Sequence, residues 1–62
     1  MVRFRMKDKD RTDIVQGTVT IGSIVKNGAD YLIYLIEDGV ENFVGLTRDF
    51  NEAKILAAEE AE

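Results

Sequence analysis

Two dipeptides of the kind that closes tight β-hairpins constrain the fold of this chain more than any other feature. Asn27-Gly28 and Asp38-Gly39 both lie between stretches rich in β-branched and aromatic residues. Such pairs favour type I′ turns, because both central residues of that turn adopt a positive φ. The sequence therefore predicts consecutive antiparallel hairpins, with β-rich segments at about 14–26, 30–37 and 40–46.

Period-two alternation at the N-terminus predicts another strand, at about 2–8. Val2, Phe4 and Met6 alternate with cations, so one face of the strand would be buried and the other basic. We call the cations the basic stripe; they are Arg3, Arg5, Lys7, Lys9 and Arg11. The stripe fits a solvated edge strand that resists edge-to-edge association, or a surface that binds an anionic partner. The polar residues 8–13 predict a turn.

The segment after this turn contains two interrupting glycines, Gly17 and Gly22. Glycine inside a strand pattern indicates a bulge or a sharp bend, so residues 14–26 predict one or two bent strands. The segment from Tyr31 to Ile36 is apolar without alternation, which is typical of a strand covered on both faces. In so small a chain a helix can cover one face and a partner can cover the other, so the run motivates a homodimer hypothesis.

The periodicity changes after Leu46 and predicts a helix at about 49–60. Asp49 and Glu52 have the spacing of a capping box, and Thr47 is the competing N-cap residue. Helical spacing places one set of apolar residues on a single face: Phe50, Ala53, Leu56 and Ala57. Acidic residues at the C-terminal end oppose the helix dipole, so we expect fraying after Ala58.

These elements predict one domain over residues 1–62, mainly β with one C-terminal helix. The architecture is either an SH3-like small barrel or an antiparallel β-meander of four to five strands, packed by the helix. A domain of 62 residues buries only about 60% of the surface that its unfolded chain exposes, so its core is small.

The order of elements resembles the small seven-kilodalton SH3-like chromatin proteins of thermophilic archaea. The similar motifs are Val2-Arg3-Phe4-Arg5-Met6-Lys7 at the start, Glu37-Asp38-Gly39 at the second hairpin, and the helix at 49–60. The resemblance covers nearly the whole chain and implies a two-stranded hairpin packed across a three-stranded sheet. It also implies DNA binding by that sheet through a tryptophan and cations, whereas this chain lacks tryptophan and has Tyr31, Leu32, Ile33 and Tyr34 there.

The composition argues against catalysis. The chain contains no histidine and no cysteine, so the usual general base, the commonest zinc ligand and any thiolate ligand are missing. We therefore expect a protein that is not an enzyme and that has no cofactor and no metal site. No apolar run approaches the roughly 20 residues that cross a bilayer, and no secretory signal is recognisable. The expected location is cytoplasmic.

The leading hypothesis is a protein-interaction or regulatory module, such as a virus-encoded inhibitor, that uses an apolar sheet surface. The predicted contact residues are Tyr31, Ile33 and Tyr34, with Arg3, Arg5 and Lys7 for an acidic partner. Nucleic-acid binding by the basic stripe is the alternative, although the net charge is −4. A third hypothesis is an acidic mimic of nucleic acid, built from Asp30, Glu37, Asp38, Glu41, Asp49, Glu52, Glu59 and Glu60. A scaffold without a ligand is the fourth.

Overall fold

A computed structural model describes residues 1–61 and shows five antiparallel strands followed by one helix. The elements are β1 (Val2–Met6), β2 (Arg11–Gln16), β3 (Val19–Asn27), β4 (Asp30–Glu37), β5 (Val40–Thr47) and α1 (Phe50–Glu60). Neighbours in sequence are neighbours in the sheet, and the sheet stays open. The predicted class, mainly β with a C-terminal helix, is confirmed, and of the two architectures the meander is formed while the closed barrel is not.

Three two-residue turns connect β2 to β5. The Asp38-Gly39 turn has a positive φ at both residues, as predicted for type I′. The Asn27-Gly28 prediction is wrong by one residue, because Asn27 pairs with Asp30 and the loop is Gly28-Ala29. Only Gly28 has a positive φ in that loop, which is the pattern of a type II′ turn. The loop after Gln16 follows the same pattern, so residues 14–26 form parts of two strands.

Two β-bulges bend the sheet. The register shifts opposite Ile14 and Val15, where Ile21 is the extra residue of β3, and again opposite Ile33 and Tyr34, where Val44 is the extra residue of β5. Both extra residues pack against the core. The bend predicted near Gly22 is thus confirmed, and it has the form of a bulge.

The core lies between the sheet and α1. Its fully enclosed members are Ile14, Ile24, Ile33, Ala53 and Ala57, one residue from each of the three central strands and two from the helix. Phe4, Phe50 and Leu56 pack around them, so the predicted apolar face of the helix is confirmed. The Asp49 carboxylate accepts hydrogen bonds from the backbone N–H groups of Asn51 and Glu52, at 2.7 and 3.2 Å. The helix extends to Glu60, and the fraying expected after Ala58 stays a prediction.

The first strand is shorter than predicted. β1 ends at Met6, because the turn begins at Lys7. The side chain of Met6, which the alternation places on the buried face, is exposed. The Lys7 and Asp8 N–H groups both donate to the Arg11 carbonyl, and this closes the turn. β2 therefore begins at Arg11, and Asp13, which the sequence placed in the turn, lies inside a strand.

Candidate interaction surface

The sheet face opposite α1, here called the outer face, changes from charged to apolar along one transverse row. Cross-strand pairing places Arg5, Asp13, Ser23, Tyr34 and Phe43 side by side on five consecutive strands. Residues directly opposite each other in antiparallel strands point to the same face. One end of the row therefore carries ion pairs, and the other end carries an aromatic pair.

A polar cluster of Arg5, Arg11, Asp13, Ser23 and Glu41 begins at the charged end of this row and reaches β5, where Glu41 pairs with Ile36. Arg11 Nη2 donates to Glu41 Oε2 at 3.0 Å, and Arg11 Nε lies 3.8 Å from Asp13 Oδ1. Arg5 Nη2 lies 3.7 Å from Asp13 Oδ2. The Ser23 hydroxyl donates to Glu41 Oε2 at 3.4 Å. Asp13 is buried, so two guanidinium groups offset the cost of removing its carboxylate from water.

An apolar patch on β3, β4 and β5 adjoins this cluster. It comprises Val25, Leu32, Tyr34, Ile36, Phe43 and Leu46. The rings of Tyr34 and Phe43 meet edge to face, with centroids 5.8 Å apart. Phe43 remains 57% exposed and Leu46 51% exposed. No element within residues 1–61 covers this patch, because α1 packs on the opposite side of β4 and β5.

The three predicted contact residues of β4 do not share a face. Tyr34 lies in the apolar patch, whereas Tyr31 points toward the helix and packs against Phe50 with ring centroids 5.4 Å apart. Ile33 is 0% exposed. The assignment of Ile33 to a contact surface is therefore wrong in this fold, because its alternation with Leu32 and Tyr34 directs it into the core.

The five cations of the basic stripe do not form one stripe. Arg3 and Arg5 lie on β1, Lys7 and Lys9 lie in the following turn, and Arg11 lies on β2. Arg3 Nη2 donates to the Gly17 carbonyl at 2.7 Å, while Arg5 and Arg11 face Asp13. Arg3 and Arg11 thus donate hydrogen bonds within the molecule and Arg5 lies in an ion pair, and the single basic stripe predicted from the sequence is wrong because the chain turns at Lys7.

The carboxylates proposed for nucleic-acid mimicry occupy different elements. Glu37 and Asp38 lie at the β4–β5 turn, and Glu59 and Glu60 lie at the end of α1. Asp49 caps the helix. Asp30 lies 3.5 Å from Arg48, and Glu41 belongs to the polar cluster. Several of these groups thus have partners in the fold, which leaves less of a continuous anionic surface than a mimic requires.

Sequence reasoning left open whether Phe43 is buried or exposed, and it missed Leu46 as a surface residue. A signal for Phe43 was present, because the Asp38-Gly39 turn fixes the register that pairs Glu37 with Val40 and hence Tyr34 with Phe43. The exposure of Leu46 could not be predicted in this way, because the bulge at Val44 shifts the register before that residue.

Comparisons with protein-family models, with curated proteins and with solved structures found no match. Within residues 1–61, no group of three or more acidic, histidine or cysteine side chains is arranged to hold a metal ion. Across the same residues, no helix has the length and the apolar character that crossing a membrane requires.

Proposed function

We propose that this domain is a non-enzymatic protein-interaction module whose binding surface is the apolar patch. The observation that carries the proposal is the Tyr34–Phe43 pair on a sheet face that α1 leaves uncovered, with Phe43 57% exposed and Tyr34 half-buried. Aromatic side chains at the centre of an apolar patch are typical anchors of protein interfaces. A contiguous apolar area on so small a molecule fits a binding surface better than it fits a solvated face.

The partner we propose is a different protein that presents an apolar surface with cations at its margin. Glu37 and Asp38 adjoin the patch beside Ile36, and neither has an ion-pair partner among residues 1–61. Cations on the partner would complement these carboxylates and the net charge of −4.

A second copy of the chain fits the patch less well. A standard interface buries about 800 Å² on each partner, roughly a fifth of the 4314 Å² surface of this molecule. Two copies stacked through their outer faces would also cover the polar cluster, because Glu41 lies beside the patch on β5. Arg5, Arg11 and Glu41 would then lose their contact with water, which is costly for charged groups, and each copy carries the same negative net charge.

The test uses a photo-crosslinking amino acid, p-benzoylphenylalanine, at position 43 of the full chain in its native host. The matched control carries it at position 19, because Val19 is similarly exposed, at 60%, but lies at the β2–β3 hairpin outside the patch. We expect one defined conjugate from position 43 that is absent from position 19. The captured protein, once purified, should bind the wild type at least tenfold more tightly than Phe43→Ala.

Two results would overturn the proposal. A conjugate with the mass of two copies would assign the patch to a homodimer. The same conjugates from both positions, or equal affinity of wild type and Phe43→Ala, would show that the patch makes no specific contact.

A further inference from the structure

The sheet has two open edges, and β1 forms one of them. An edge strand presents backbone N–H and C=O groups that lack partners in the sheet, and such an edge can accept another strand. Within residues 1–61 no strand lies beyond β1. The edge is thus a candidate binding site that is separate from the apolar patch, which lies on the last three strands.

The register of the first hairpin shows which backbone groups face outward. The Lys7 N–H donates to the Arg11 carbonyl at 2.8 Å, so Lys7 and Arg11 form a hydrogen-bonded pair. Hydrogen-bonded and non-hydrogen-bonded pairs alternate along an antiparallel ladder. Arg3 and Arg5, with the same parity as Lys7, therefore direct their backbone groups to β2, while Val2, Phe4 and Met6 direct theirs to the free edge.

The side chains along this edge have two different characters. Arg3 and Arg5 lie on the outer face, and the Arg5 side chain is 70% exposed. Its distance of 3.7 Å to Asp13 exceeds a hydrogen bond, so its donors remain available. Arg3 uses one nitrogen for the Gly17 carbonyl, and a guanidinium group has five N–H donors.

The opposite face of the edge is apolar. A shallow groove of 460 Å³ runs between β1 and the helix, lined by Phe4, Asn51, Lys54, Ile55 and Ala58. Ile55 lies in this groove on the helix side of the sheet, and it is 60% exposed. A strand added to β1 would place alternate side chains over this groove and the remaining ones beside the two arginines.

We propose that the free edge of β1 binds an extended acidic segment of another protein as an added strand. Charge complementarity selects this occupant, because opposite charges on adjacent strands are favourable and like charges are unfavourable. The segment alternates acidic residues, which face Arg3 and Arg5, with apolar residues, which lie over Phe4 and Ile55. A second copy pairing through the same edge would set arginine against arginine. This proposal is independent of the binding function assigned to the apolar patch.

The probe is a capped synthetic peptide of alternating valine and glutamate, added to the ¹⁵N-labelled full chain at low salt. We expect amide hydrogen exchange to slow at least tenfold at Phe4 and Met6, whose N–H groups face the edge. Exchange at Arg3 and Arg5 should change little, because β2 already protects their amides. A peptide of alternating valine and lysine should not bind.

Paired variants separate charge from fold. Arg3→Gln with Arg5→Gln should weaken peptide binding at least fivefold. The control, Lys26→Gln with Arg48→Gln, removes the same charge from other elements and should stay within twofold. Because Arg5 supports the buried Asp13, the exchange map of the wild type provides a readout that does not depend on the variant folding.

Three results would overturn the proposal. The first is no binding of the glutamate peptide at millimolar concentration. The second is equal binding of the lysine peptide. The third is slowed exchange at Phe43 and its neighbours without protection of Phe4, which would place the peptide on the apolar patch.

Discussion

Gly22 and Gly45 both lie close to neighbouring parts of the chain, but different kinds of atoms approach them. A Cβ atom at Gly22 would collide with the backbone carbonyl oxygen of Tyr34, which belongs to the β3–β4 ladder. A Cβ atom at Gly45 would lie 2.5 Å from Leu56 Cδ2, the end of a flexible side chain. Neither glycine has a positive φ, so steric contact alone distinguishes them.

We predict that Gly22→Ala lowers the free energy of unfolding by about 3 kcal/mol and Gly45→Ala by about 1 kcal/mol. The backbone at Gly22 can yield only by opening the ladder, whereas Leu56 can change its rotamer. Urea unfolding of both variants measures the difference, and trimethylamine N-oxide extends the folded range if Gly22→Ala is too unstable. Equal losses at the two positions would contradict the prediction.

At the level of elements, α1 depends on its N-terminal cap. Its two fully buried residues are both alanines, so each contributes little apolar area to the core. The last turn contains no basic residue that could compensate the helix dipole. The hydrogen bonds that Asp49 accepts from the Asn51 and Glu52 N–H groups are therefore important for the stability of the first turn of the helix.

We predict that Asp49→Ala lowers the free energy of unfolding by about 1 kcal/mol. Asn51→Ala is the control, because that side chain is exposed and alanine has the higher helix propensity; its stability should be unchanged or slightly higher. Chemical denaturation followed by far-UV circular dichroism reports both. A loss of the same size in Asn51→Ala would show that the cap has no special role.

The elements that could be predicted are those whose signals are local. The Asp38-Gly39 turn and the cap at Asp49 depend on residues adjacent in sequence, so both were predicted correctly. The exposure of Met6 and the placement of Asp13 in a strand depend on where β1 ends. That end depends on hydrogen bonds from Lys7 and Asp8 to Arg11, which a pattern of alternating residues does not contain.

The candidate surface was predictable only in part for a related reason. Strand alternation predicted correctly that Tyr31 and Tyr34 point to opposite faces, but Ile33 was grouped with Tyr34 because the whole run is apolar. A run without polar alternation does not show which face the helix covers. That choice depends on the packing of Ala53 and Ala57 against Ile33, which is a contact between distant segments.

At the level of the whole molecule, charge distribution separates the protein-binding and nucleic-acid-binding hypotheses. Duplex affinity depends largely on cations that neutralise phosphates and release counterions. Here the net charge is −4, and Arg5 and Arg11 lie near the carboxylates of Asp13 and Glu41. A phosphate approaching Arg11 would have to compete with these carboxylates for its guanidinium group, which already donates to Glu41 at 3.0 Å.

We therefore predict no saturable binding to a labelled DNA duplex or single strand at protein concentrations up to about 100 µM in about 50 mM salt, conditions in which non-specific nucleic-acid-binding proteins bind. Fluorescence anisotropy measures this directly. The double variant Asp13→Asn with Glu41→Gln is the positive control, because it frees the arginines and should gain weak affinity that falls steeply with added salt. Micromolar affinity of the wild type that falls steeply with added salt would instead favour nucleic-acid binding. It would show that the carboxylates of Asp13 and Glu41 do not prevent the arginines from binding phosphate.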